Sequence, residues 1–158
     1  MMYTIAAFHY VGLLKERVTH HLIGAQMLKE DLFIKSFFSD EEIRVIAEAI
    51  EDHRASNAFK PCSLYGMIIS EADFIEPVES VIARAILYRM KEGESFDSIY
   101  QDVRNHLIDK YGEDGYFKGW LKSKALTDMQ NELWPLLNDE IKYKDYAYQI
   151  YLKRDSYK

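Results

Sequence analysis

Four of the five histidines in this 158-residue chain, His9, His20, His21 and His53, fall within its first third, each beside an apolar stripe or the end of an expected helix. Neutral imidazole is the commonest metal ligand, and carboxylates add the hard oxygen donors that suit divalent iron, manganese or magnesium. A lone histidine is most often a surface or satisfied core residue. Taken together with Asp73, the four read as the beginnings of a metal site.

Helices must position these groups, because only 3 Pro and 7 Gly punctuate the chain and no repeat or low-complexity stretch occurs. The clearest begins at Ser39, where Ser39 and Glu42 have capping-box spacing. Ile43, Ile46, Ala47 and Ile50 follow on one stripe, and His53 extends it. A second helix is expected from about Ser63, with Leu64, Met67, Ile68, Ala72 and Ile75 inward, ending or bending before Pro77; Asp73 lies one turn beyond Ile69. A third is expected from Val78 to Met90, stopping at Lys91-Glu92-Gly93. Further helices are expected over 96–111, 126–137 and 141–152.

Between Tyr111 and Lys124, Gly112, Gly115 and Gly119 predict an irregular connection whose rings, Tyr116, Phe117 and Trp120, pack back on the body. Pro135, after Trp134, should break or kink its helix. Tyr143, Tyr146, Tyr148 and Tyr151 form a stripe suited to a core or subunit contact. The start, with Tyr3, Ile5, Ala6, Ala7 and Phe8 and no capping residue, reads as a chain that begins inside a helix and has lost something upstream.

Composition narrows the function classes. With 48% hydrophobic residues, the chain has enough apolar content for one domain with a real core. Twenty Lys and Arg against 26 Asp and Glu give a net charge of -6, which disfavours long nucleic acid as a partner but permits a small phosphorylated substrate. The single cysteine, Cys62, has no internal disulfide partner, no run approaches the length of a membrane span, and no secretory signal is evident, so the cytoplasm is the expected location.

Four fragments, in order, carry a family likeness: Ala6-Ala7-Phe8-His9-Tyr10-Val11-Gly12-Leu13, His20-His21-Leu22-Ile23-Gly24-Ala25, Ala49-Ile50-Glu51-Asp52-His53-Arg54 and Ser70-Glu71-Ala72-Asp73. Over residues 3 to 90 the chain resembles the HD-domain superfamily of metal-dependent phosphohydrolases. The resemblance implies an all-α, HD-domain-like helical bundle with additional C-terminal helices: a single domain, 1–158, with an HD-like core over 1–92 and a helical extension over 93–158 packed on it. It implies His9 and Asp73 as ligands of one metal, His20 and His53 as ligands of a second, and iron, manganese, magnesium or zinc as the ion. Catalytic roles fall to Asp73 and to Arg54, whose guanidinium could hold a phosphate oxygen in a bidentate fork. His21, Tyr10 and Arg17 are further candidates; Lys15 reads as a solvated cation.

Two departures stand out. The family pairs His with Asp, and Tyr10 occupies the second position, with one oxygen and an ordinary pKa near 10 in place of a bridging carboxylate. The family also has an earlier histidine, and none precedes His9. Three readings follow: an active hydrolase gathering one metal with His9, His20, His53 and Asp73, a degenerate member that binds without turnover, or a chain whose first helix lies upstream. A helical interaction module or homodimer, built on the aromatic C-terminal part, is the alternative from another class.

Overall fold

The structure, a computed structural model, describes residues 1–57, 59–91 and 94–157, and these form nine α-helices and no strand. They are α1 (Met2–Phe8), α2 (His20–Glu30), α3 (Leu32–Lys35), α4 (Asp40–Asp52), α5 (Leu64–Ala72), α6 (Val78–Arg89), α7 (Phe96–Tyr111), α8 (Lys124–Asn138) and α9 (Glu140–Leu152), with 3-10 turns at Val11–Leu14 and Arg154–Tyr157. The chain is all-α, as its composition predicts. Among the described residues no helix is long and apolar enough to cross a membrane.

The helices fall into two compact units, Met1–Phe74 with Lys118–Leu121 and Ile75–Phe117 with Lys122–Lys158. Helix α6, which a division at residue 92 would group with the first part, makes its contacts with α7, α8 and α9.

In the first unit, α4 is the central element. Its capping box forms as expected, with Ser39 Oγ accepting from Glu42 N and the Glu42 carboxylate accepting from Ser39 N at 2.9 Å. The stripe of Ile43, Ile46, Ala47 and Ile50 is buried against α1, α2 and α5, together with Ile5, Ala25, Leu28 and Ile69. Two glycines let the backbone of α2 come close to its neighbours. A Cβ at Gly12 would overlap the carbonyl of His20, and one at Gly24 would stand 2.9 Å from Phe8 O. That close packing sets the first turn of α2 against the 3-10 turn and its second turn beside the end of α1.

Helix α5 is capped by Ser63, whose Oγ accepts from Gly66 N at 3.1 Å. Its facing differs from expectation. Leu64 is 60% exposed and Ala72 is exposed, while Ile69, Ser70 and Glu71 are buried. The apolar residues of this helix surround it almost completely, so their pattern leaves the inward face undecided, and Glu71 turns in because its carboxylate accepts from Leu121 N at 2.9 Å. The helix ends at Ala72, well before Pro77, and Asp73 caps it.

The second unit packs Val81, Ile82, Ile86, Phe96, Ile99, Val103, Leu107, Leu126, Leu133, Leu137 and Tyr143 into its core. Helix α7 has the expected bounds. Helix α6 ends at Arg89, one residue early, because Met90 is already extended; the expected stop at Glu92 and Gly93 lies outside the described residues. Pro135 does not break α8, which continues to Asn138. The proline and Asn131, whose carbonyl loses its donor, are both exposed and open to water, while Leu133 and Leu137 on either side are buried and Trp134 Nε1 donates to Tyr111 O at 2.6 Å. In the connection after α7, Phe117 packs back edge-on to Tyr111, but Tyr116 stays 43% exposed. Of the tyrosine stripe only Tyr143 is fully buried; Tyr148 is 44% exposed and stacks with Tyr151 beside Phe96.

Candidate functional site

Each candidate ligand sits at the end of a helix, three of them at C-terminal ends where the last backbone carbonyls are left without helical donors and His20 at the N-terminal end of α2, just after a loop carbonyl. His9 caps the C-terminus of α1, His20 opens α2, His53 caps α4 and Asp73 caps α5. The three imidazoles use those carbonyls in one way. His9 Nδ1 lies 2.7 Å from Ala6 O, His20 Nδ1 lies 2.8 Å from Arg17 O and His53 Nδ1 lies 2.6 Å from Ile50 O, each partner three residues back. A carbonyl oxygen only accepts, so every Nδ1 carries the proton and donates it. In the neutral rings every Nε2 is then a bare lone pair.

Those lone pairs converge. His20 Nε2 and His53 Nε2 stand 3.2 Å apart, and His9 Nε2 stands 3.4 Å from Asp73 Oδ1. The two bare nitrogens of His20 and His53 repel at such a distance unless a proton or a metal cation lies between them, whereas His9, when protonated at Nε2, donates to Asp73 directly. Two nitrogens ligating one ion at about 2.0–2.1 Å each are separated by roughly 2.8–3.4 Å, the lower end for cis positions of an octahedron and the upper for a tetrahedron. The His20–His53 separation falls in that interval, so this donor pair fits a metal. The four residues come together as two pairs, His9 with Asp73 and His20 with His53, linked by the edge-on contact of the His9 and His53 rings at 5.4 Å.

Electrostatics separates the members. His53 is 1% exposed, and its burial pushes the imidazole down to about 4, so it is neutral at pH 7, the form a ligand requires. His9 moves the other way, raised above 6.5 chiefly by its bond to Asp73 against the cost of burial. Burial pushes the Asp73 carboxyl upward, but hydrogen bonds from His9 and Tyr10 outweigh it and hold the group below its ordinary range.

Tyr10 stands among these groups. Its hydroxyl donates to Asp73 Oδ1 at 2.6 Å, its ring stacks on His9 with centroids 4.0 Å apart, and the rings of His20 and His53 lie 5.8 and 6.1 Å away. No three His, Cys, Asp or Glu side chains among the described residues are placed to hold an ion as they stand. The Tyr10 hydroxyl occupies the oxygen of Asp73 that faces His9.

The remaining candidates are peripheral. His21 is half-buried beside His20 and His53; burial lowers its pKa, and Nδ1 has no hydrogen-bond partner among the described residues. Arg54 follows His53, and its guanidinium donates to Val18 O at 2.5 Å. Lys15 and Arg17 are exposed, and Arg17 serves the site through its carbonyl. Asp52 is a buried carboxylate to which the sequence reading gave no role: its Oδ2 accepts from Cys62 N at 2.7 Å and ties down the chain after His53. The main-chain acceptors at Ala6, Arg17 and Ile50 were also missed, and the signal for them was the placement of each histidine at a helix end.

Compared with known proteins, the chain matches no family model, no curated protein and no solved structure.

Proposed function

We propose that the first unit carries a divalent-metal site of the kind the HD-domain resemblance implies, used to hydrolyse a small phosphate ester. The observation that carries this is the facing of His20 Nε2 and His53 Nε2 at 3.2 Å with both Nδ1 protons committed to backbone carbonyls. The side chains are pre-organised as ligands, since the carbonyl bonds fix both tautomer and ring orientation. His20 and His53 would hold one ion, with His9 and Asp73 supplying further donors. When bound, iron, manganese, magnesium or zinc activates water at neutral pH and offsets phosphate charge.

The chain's own residues supply the rest. Arg54 is anchored beside His53 by its bond to Val18, and a guanidinium has five N–H donors, enough to grip a phosphate oxygen as well. Asp73, kept ionised by its hydrogen bonds, is the carboxylate available to orient water or to join the metal shell.

A second reading has an observation of its own: the Tyr10 hydroxyl on Asp73 fills the place of a bridging carboxylate. On that reading the protein keeps the scaffold without turnover and serves as a binding or homo-oligomeric module. Metal analysis and turnover on p-nitrophenyl phosphate with manganese separate the two. The hydrolase reading expects about one equivalent of transition metal in the purified protein, its loss in His53→Ala, and measurable turnover. Metal without turnover, with turnover appearing in Tyr10→Asp, supports the inactive scaffold. A preparation that takes up neither manganese nor iron overturns the metal site itself.

A further inference from the structure

We infer that the edge of the metal site carries an apolar collar, built by Leu13, Leu14, Val18 and Leu22, which takes the organic group of the substrate: the ester is an alkyl or aryl phosphate and not a sugar or polyol phosphate. This rests on the metal reading above and adds to it the chemistry of the leaving group.

Leu13 is 40%, Leu14 83%, Val18 64% and Leu22 50% exposed, four large apolar side chains within ten residues. Singly such residues are ordinary, but a contiguous apolar patch rimmed by polar groups marks a binding surface. Contiguity follows from one close approach. Gly12 lies so near the His20 carbonyl that a Cβ there would overlap it. Leu13 and Leu14 follow Gly12 directly, while Val18 and Leu22 stand two residues on either side of His20. Two residues span at most about 7 Å of chain. All four therefore lie within about 7 Å of one side or the other of the Gly12–His20 contact, and His20 is half of the donor pair proposed for the ion.

The phosphate end is fixed at the same place. Arg54 donates to Val18 O at 2.5 Å, which lays the guanidinium against the backbone that carries the Val18 side chain. Exposed Lys15, Glu16 and Arg17 form the polar rim. A phosphate held between the His20–His53 ion and Arg54 thus has its organic group beside apolar surface. The hydroxyls nearby, Thr19 and Tyr10, both donate to carboxylates, Glu16 and Asp73, so a polyol would meet donors already engaged. A methylene that is fully buried gains about 4-fold in affinity, and one that lies along an open surface gains about 2-fold.

The test is the affinity of the full chain, with manganese present, for butyl phosphate, octyl phosphate and glycerol 1-phosphate, measured by titration calorimetry. Octyl phosphate is longer than butyl phosphate by four methylenes and should bind at least about 10-fold more tightly, with glycerol 1-phosphate weaker than either. In the double variant Leu14→Ser with Val18→Ser, the advantage of octyl over butyl should fall below about 3-fold. Phe33→Ser removes a 70% exposed ring beyond the far end of α2, roughly 15 Å from His20, and should keep the full advantage. Circular dichroism confirms that each variant is folded. Equal affinity for butyl and octyl phosphate overturns the collar, as does an advantage that survives in the double variant or is lost in Phe33→Ser. Octanol binding as tightly as octyl phosphate also overturns it, since the patch is then unconnected with phosphate. Failure of the metal reading shows separately, as no uptake of manganese. In that case a chain-length dependence that needs Leu14 and Val18 still supports the collar, and its absence overturns it.

Discussion

The two units bury comparable apolar cores but differ in how their most deeply buried polar side chains are satisfied. In the first, the buried polar residues include His20, His53, Asp52 and Glu71, and each is tied to a main-chain group: the histidines to carbonyls of Arg17 and Ile50, the carboxylates to the N–H groups of Cys62 and Leu121. In the second, Tyr143 is fully buried on α9 and its hydroxyl has no hydrogen-bond partner among the described residues. Main-chain anchoring costs flexibility and fixes direction, which is what a ligand set needs. An unpartnered phenol fixes nothing; its ring fills volume. Under the proposed function, this anchoring is what holds the ligands of the first unit, and the second unit serves as packing.

The largest effects should come from the apolar cores, where the units are alike. Ile46 on α4 and Leu133 on α8 are both 0% exposed. Ile46→Ala and Leu133→Ala should each lower unfolding free energy by about 3 kcal/mol in urea titrations, the usual cost of lost burial plus a cavity. Their effects on zinc binding should part company. Ile46 supports the helix that presents His53, so Ile46→Ala should weaken zinc binding several-fold while Leu133→Ala leaves it unchanged. Equal weakening by both would break the assignment of chemistry to one unit.

Much of this contrast was legible in the sequence, for physical reasons that differ from residue to residue. Ser39 and Glu42 announced α4 because a capping box is a local, spacing-encoded bond. The bounds of α7 followed from a run that starts after Ser95 and ends at Gly112. The facing of α5 was not legible, because apolar residues on several sides leave tertiary contacts to choose, and a buried Glu71 is chosen by a partner fifty residues away. Pro135 misled because the penalty for a proline falls when the orphaned carbonyl faces water. At the site, the ligand candidates could be named from residue type and order. Their tautomers could not, because the acceptors that fix them are carbonyls of Ala6, Arg17 and Ile50, and any residue type supplies a carbonyl.

A middle-sized effect should appear with pH in metal-free protein. His53 titrates at about 4 when folded and near 6.5 when unfolded, so between those values the unfolded chain binds the extra proton. Stability therefore rises with pH across this window and falls on acidification from 6.5 towards 4, by about 3 kcal/mol from this group. His9 works with the opposite sign: its raised value stabilises the fold below 6.5, and that contribution is lost as pH rises through its folded value. His53→Gln should flatten the acid limb of a stability-against-pH curve measured in chelator. His106 in the second unit is also lowered by burial but only half-buried, so His106→Gln should flatten the curve less. A larger change from His106 would reverse the comparison.

The smallest effect concerns the phenol itself. Burial raises the Tyr143 hydroxyl well above its ordinary range, against a smaller opposing pull from the charge of Arg104, and the hydroxyl has no hydrogen-bond partner among the described residues. Tyr143→Phe deletes that uncompensated oxygen and keeps the ring that fills the core, so it should be neutral or stabilising by up to about 1 kcal/mol. The same kind of deletion in the first unit has the reverse sign. Glu71→Leu would leave Leu121 N without its acceptor, and a buried donor left unpaired costs about 1–3 kcal/mol. Chemical denaturation of the two variants side by side measures the contrast. If Tyr143→Phe destabilises the protein by more than about 0.5 kcal/mol, the hydroxyl is bonded after all, through water, and the second unit anchors its polar atoms as the first one does.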